Sequence, residues 1–167
     1  MKRLIAFVFA AGTVCFLSCN SGGMSATAKK NLEVNDAIMK AYEAGDFSKM
    51  GDYIAADAVD HGGETGDIKG LDSIISEMKR YKAMVTDMKY TTIKEMADDE
   101  YVFTWASVDC KMGGNPMKMT SLDVSKFKDG KAVEHWVYMD PKEVAQMMMQ
   151  NAPQPAAPAP ADTTAKK

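Results

Sequence analysis

Asp123 and His135 are the residues whose types and placement suit chemistry. They sit in two alternating runs, Leu122 to Lys128 and Lys131 to Met139, separated by Asp129-Gly130. An Asp-Gly pair accepts the positive φ values of a two-residue turn, so the runs are predicted to pair antiparallel. Ser121, Asp123, Ser125 and Phe127 then share one face of the first arm, and Val133, His135, Val137 and Met139 one face of the second. A carboxylic acid whose pKa is raised by burial, next to an imidazole that titrates near neutrality, suits removal of a proton beside a carbonyl group. The plainer alternative is that Asp123 faces solvent or merely orients His135. His61, beside the Gly62-Gly63 break, is the third candidate, either at the mouth of the same cavity or as a solvated loop residue. The candidate catalytic set is therefore His61, Asp123 and His135.

The surrounding elements follow from periodicity. From Ala28 the pattern is helical, with Leu32, Ile38, Ala41 and Tyr42 on one side, Asn35 mostly on the other, and Gly45 where a left-handed terminator belongs. Asp46 is placed to cap a short second helix carrying Phe47, Met50 and Ile54. Ala58-Val59-Asp60-His61 reads as a short extended piece. Gly70 to Tyr81 is an amphipathic helix with Leu71, Ile74, Ile75, Met78 and Tyr81 on its apolar stripe. Three long strands follow, about 84–96, 101–112 and 117–128, and the arm 131–139 completes a four-stranded antiparallel meander. Asp140-Pro141-Lys142-Glu143 combines a capping aspartate, a first-turn proline and a glutamate able to reach back, so a helix runs to about Gln150. The fold class expected is α+β: a curved antiparallel four-stranded sheet, plus one short strand, wrapped around N-terminal helices.

With that order of elements, four strings resemble the SnoaL-like branch of the nuclear transport factor 2-like superfamily: Ala44-Gly45-Asp46, Ala58-Val59-Asp60-His61, Asp123-Val124-Ser125-Lys126-Phe127, and Gly130-Lys131-Ala132-Val133-Glu134-His135-Trp136. The resemblance covers 28–150. It implies a cone-shaped fold with a deep pocket between sheet and helices, often dimeric through the outer sheet face. It also implies that Asp123 matches the oxyanion-holding acid of the ketosteroid isomerases. Their helix tyrosine falls near Ile38, and their general base falls at His61 or Asp60. The SnoaL-type cyclases resemble this chain in a His-Trp pair on the last strand, but the acid-base aspartate that follows theirs is Val137 here. Because two of those roles are altered, the leading expectation is a protein that binds a small apolar or carbonyl-containing molecule in its cone pocket. An isomerase, cyclase or dehydratase working through His61, His135 and Asp123 is the alternative, and a dimeric interaction module of the cell envelope is the third reading.

Length and charge bound the rest. The chain has 167 residues and a formal net charge of −3, which suits one domain plus tails and offers no basic excess for nucleic acid. Met1-Lys2-Arg3, the apolar run Leu4 to Leu17 and then Ser18-Cys19 read as a lipoprotein signal peptide, 1–18, with Cys19 as the lipidation site; an ordinary signal peptide cut near Ala26 is the alternative. Residues 19–27 form a Gly/Ser-rich tether, and 151–167 a Pro/Ala-rich tail without the apolar side chains needed to fold. The expected location is the cell envelope, lipid-anchored, at the outer membrane facing the periplasm. Expected partners are a small-molecule ligand, the membrane through the N-terminal lipid, and a second copy of the chain in a homodimer through Trp136, Tyr138 and Trp105. Two histidines and few cysteines are too sparse for a three-ligand zinc site. The abundant methionines are better explained by apolar packing than by Cu(I), because no cysteine or histidine cluster accompanies them in sequence. No cofactor and no metal is expected, and no phosphate-cradling loop or serine-hydrolase elbow is present.

Overall fold

The computed structural model describes residues 23–150 apart from Glu64. The signal peptide, the lipidation site Cys19 and the tail 151–167 lie outside the described residues. Helix α1, Ala26–Ala44, opens with the Ser25 hydroxyl accepting from Ala28 N and closes at Gly45, whose φ of 72° lets its N–H turn back to Ala41 and Tyr42 carbonyls. Its inner side differs from the apolar stripe expected, because Asn31 and Asn35 are buried with Val34 and Ile38. Asn35 is tolerated there because the sheet answers it: its amide donates to Thr104 Oγ1 at 3.2 Å and accepts from Ser125 Oγ at 3.1 Å.

The second helix, α2, is the single turn Met50–Tyr53, and Ile54 starts strand β1, Ile54–Asp60, instead of continuing the helix. A two-residue strand β2, Ile68–Lys69, pairs with it before α3, Leu71–Met84. The long strands are β3 (Val85–Ala97), β4 (Tyr101–Met112), β5 (Asn115–Lys128) and β6 (Lys131–Met139), followed by α4 (Pro141–Gln150). The sheet order is β2-β1-β6-β5-β4-β3. The α+β class with a curved, unclosed sheet is as expected, but the sheet has six strands and is mixed, because β1 runs parallel to β6. A parallel pair needs a long crossover, and the chain from α3 to β5 supplies it.

Asp129 and Gly130 take φ values of 52° and 76°, as their turn requires. Lys126 pairs with Glu134 while Phe127 pairs with Ala132, so Val133 is an extra residue and Ala132 joins the core in its place. At α4 the Asp140 carboxylate caps Lys142 N, but Glu143 reaches Thr120 on β5 instead of turning back. The core gathers Val34, Ile38, Met50, Ile54, Ala58, Ile74, Val102 and Phe127 between helices and sheet. No helix among the described residues is long and apolar enough to cross a membrane.

Candidate functional site

Strand register builds the site. Asp123 faces Thr104 across β4 and β5, and Ser125 faces His135 across β5 and β6, all on the helix side of the sheet. On the other flank of β6, His135 is the parallel partner of Asp60. The imidazole is therefore held between two carboxylates from two strands: Nδ1 lies 3.2 Å from Asp60 Oδ1 and Nε2 lies 3.4 Å from Asp123 Oδ1. The His135 side chain keeps 34% of its surface exposed, Asp60 21% and Asp123 17%, so the cluster is half-buried and reachable. Each carboxylate has a further anchor. Asp60 Oδ1 accepts from Gly62 N at 2.8 Å, and Asp123 Oδ2 accepts from Ser121 Oγ at 2.7 Å.

These contacts set the protonation states. Burial alone would depress the His135 pKa, but the hydrogen bonds and charges of Asp123 and Asp60 outweigh it and push the ring up from 6.5 to about 9. At neutral pH His135 is an imidazolium donating from both nitrogens. Asp60 is subject to an opposing desolvation, yet His135 and the Gly62 N–H hold its carboxyl below the usual range. Gly62 itself allows a close approach: a Cβ there would stand 2.8 Å from Val137 Cγ1 and 3.1 Å from Asp60 Oδ1.

Tyr90 is the residue that sequence reasoning missed. It pairs with Val108 on the inner face, and its phenol oxygen is buried without a hydrogen-bond partner. Burial first, then the nearby charges of Asp123 and Glu95, push its pKa far above the ordinary 10.0, so it stays a neutral donor. Counting alternation along β3 does not find it, because the pairing of β3 slips between Thr86 and Lys89 and again between Thr92 and Lys94. Tyr90 also walls a crevice of about 140 Å³ between α1 and β3, shared with Asp36, Met39, Lys40, Glu43, Thr92 and Glu95. A wider, open depression of about 520 Å³ lies at the start of α1 against Ala97–Glu100. Neither is lined by His135 or Asp123.

His61 does not join the cluster. Its ring stacks on Trp136 at 4.7 Å and 13°, with Nδ1 2.9 Å from Asp67 and Nε2 3.3 Å from Glu134. Glu134 and Trp136 alternate with His135, so the three candidates divide between two faces: His135 and Asp123 inside, His61 outside. Asp60, adjacent to His61 in sequence, takes the inner place. Among the described residues no group of three or more His, Cys, Asp or Glu side chains is disposed to hold a metal.

A family model for the SnoaL-like domain matches residues 36–135, which span the catalytic candidates His61, Asp123 and His135. The chain belongs to the SnoaL-like domain family. Solved structures agree with that membership in shape. The SnoaL-like domain here superposes on a SnoaL-like polyketide cyclase from Agrobacterium tumefaciens with a TM-score of 0.62 at 12% identity, covering 71% of this chain and 97% of that one. An epoxide hydrolase of the LEH-like type from M. tuberculosis gives 0.64 at 16%, covering 74% and 92%. IdmH of Streptomyces antibioticus gives 0.58 at 25%, covering 70% and 97%. Curated protein sequences gave no significant match.

Proposed function

We propose that this SnoaL-like domain binds a small, largely apolar molecule bearing a carbonyl or similar oxygen, and that Asp60, His135 and Asp123 move a proton on it. The observation that carries the reading is an imidazole with both nitrogens engaged by carboxylates from separate strands, yet one third exposed. An imidazolium with a pKa near 9 is a poor base at neutral pH and a competent acid towards an oxygen gaining charge. A flanking carboxylate is then the base that takes a proton from carbon or water. Tyr90, held neutral beside Asp123, can donate to the same oxygen. The 25% identity to IdmH, a candidate polyketide cyclase, supports a substrate of this general kind. The alternative of binding without turnover is favoured by Ile38 and Val137, which stand where the resembled enzymes carry reactive groups.

The experiment is a thermal-shift panel of ketones, enones and epoxides, followed by deuterium exchange at the acidic C–H of each compound that raises Tm. Exchange that His135→Gln abolishes while binding persists supports proton transfer. Binding with no exchange supports the second reading, and a panel with no shift removes both.

Location and assembly belong to the same reading. The Leu17-Ser18-Cys19 run supports lipidation at Cys19 and retention in the envelope. Cys19→Ala should move the chain from the membrane to the soluble fraction, and an unchanged distribution with no lost lipid mass ends that idea. The apolar row Trp105, Leu122 and Tyr138 on the outer sheet face is exposed and supports a homodimer. A monomer by sedimentation velocity at micromolar concentration argues against it.

A further inference from the structure

Fifteen of the 167 residues are methionine, and the proton-transfer cluster uses none of them. Pairing register sets two of them on either side of the buried thiol. Cys110 on β4 is the direct partner of Met117 on β5. On its other flank β3 bulges: Thr86 pairs with Lys111 and Lys89 with Asp109, so Asp87 and Met88 together oppose Cys110. Asp87, at φ 52°, sends its carboxylate to Lys111 Nζ. Met88 instead turns to the helix side, where its sulfur lies 3.8 Å from Lys82 Nζ of α3. Cys110 alternates with Val108 on this inner face and is only 6% exposed. Residues opposed in register project to the same side of a sheet, so Met88, Cys110 and Met117 stand in one row across three strands.

We propose that this row is a binding site for Cu(I). Adjacent strands lie about 4.8 Å apart, so the outer pair Met88 and Met117 start about 9.6 Å apart, and to reach the roughly 4 Å separation of three sulfurs around one metal at about 2.3 Å each methionine arm must lean in over Cys110 by about 3 Å, within the reach of its three rotatable bonds. One thiolate and two thioethers are soft ligands that select Cu(I) over zinc or the hard cations. Charge fits as well. Cys110 gives up its thiol proton to solvent as the Cu–S bond forms, so thiolate and Cu(I) cancel, whereas a divalent ion would leave a net positive charge beside Lys82. Apolar packing explains methionines in general but does not call for a cysteine whose register neighbours on both flanking strands are methionines. The cysteine that the sequence did not place near them is brought there by the β3 bulge and the β4–β5 register. Cys110 is six residues along β4 from Thr104, the partner of Asp123, so this site is about 20 Å from the proton-transfer cluster and independent of it.

The test is an anaerobic titration of the full chain with Cu(I) in competition with bathocuproine disulfonate, with X-ray absorption on the product. One Cu(I) per chain in a sulfur-only shell is expected. Met88→Leu with Met117→Leu, which keeps side-chain shape, should weaken binding by roughly 100-fold or more, since losing even an outer partner of a ligand costs 10–100-fold. Cys110→Ser, checked for folding by its melting curve, should do the same. Met148→Leu with Met149→Leu on exposed α4, and Cys19→Ala, should leave affinity unchanged. Surrender of all copper to the chelator by the unaltered chain, survival of binding in the Met88/Met117 variant, or loss that follows Met148, Met149 or Cys19 overturns the proposal.

Discussion

His135 and His61 are both flanked by two carboxylates, and they meet around the same stretch of β6, yet only one is built into the sheet. His135 sits inside, its partners Asp60 and Asp123 projecting from neighbouring strands. His61 sits outside, bonded to Asp67 in the loop before β2 and to Glu134, with Trp136 beneath its ring. Its backbone N–H donates to the His135 carbonyl at 2.8 Å, so the two residues share a backbone link while their side chains see different surroundings. The difference teaches that identical chemistry acquires different weight from its support. The rings themselves are similarly exposed, but the inner imidazole is held by carboxylates that strands keep mostly buried, whereas the carboxylates bonded to His61 are more open to water and salt.

The largest break in that comparison is His135→Ala. Removing the cation leaves Asp60 and Asp123 half-buried and facing one another, and a stability loss of about 1–3 kcal/mol is expected, below the value for a fully buried pair because the site is partly exposed. Urea unfolding measures it. Adding Asp60→Asn to the same variant should recover part of the loss, and a double variant no more stable than the single one would mean carboxylate repulsion is not the cause.

Gly62→Ala tests the support without touching a charge. A Cβ at 2.8 Å from Val137 Cγ1 must displace backbone or side chain, at a cost on the order of 1–3 kcal/mol. It also presses on the Asp60 carboxylate, so the His135 titration midpoint should fall below about 9 by NMR. A midpoint that stays put would show that Asp60 is not held through Gly62.

The pH profile sharpens the contrast. The folded His135 pKa of about 9 lies above its ordinary 6.5, so the stability it contributes is complete below pH 6.5 and is lost as pH rises towards 9. Asp60, held below its ordinary 3.8, adds stability above that pH that disappears on acidification. Unfolding free energy measured from pH 6 to 10 should decline across that window in the unaltered chain and flatten in His135→Gln. Equal slopes in both would assign the decline to other groups.

How much of this was legible in sequence depends on which force fixed each residue. The β5–β6 hairpin was readable because Asp129-Gly130 sets its own turn, but that turn pairs Phe127 with Ala132, and only the extra residue Val133 brings His135 round to the face of Asp123. His61 points away from the other two candidates, and Asp60, one residue earlier, points towards them. Period-2 logic gives Asp60 and His61 opposite faces but does not say which faces inward, and that was decided by the parallel pairing of β1 with β6, a contact with no local signal. Tyr90 and the sulfur row were hidden for a related reason: bulges in β3 shift the register, and a bulge is energetically a matter of partner strands. Asn35 looked like a solvent-facing residue because its partners Thr104 and Ser125 lie 69 and 90 positions away.

The smallest expected effect belongs to His61, and salt is the way to isolate it. Burial lowers its pKa, but the bonds to and charges of Asp67 and Glu134 together outweigh it and raise the pKa above 6.5. Those partners are exposed or half-exposed, and Glu134 is shared with Lys126 Nζ at 3.0 Å, so added electrolyte should screen them effectively. Raising NaCl to about 1 M, where the Debye length is about 3 Å, should bring the His61 midpoint back towards 6.5 while moving His135 much less. Both rings can be followed in one NMR titration, so each serves as the control for the other. If the two midpoints fall together, the inner cluster is as open to counterions as the outer one, and the burial of their carboxylate partners does not separate the two histidines. If only His61 responds, the stacking on Trp136 should then keep its ring in place after its charge pairs are screened, and an unchanged nuclear Overhauser contact between the two rings at high salt would show it.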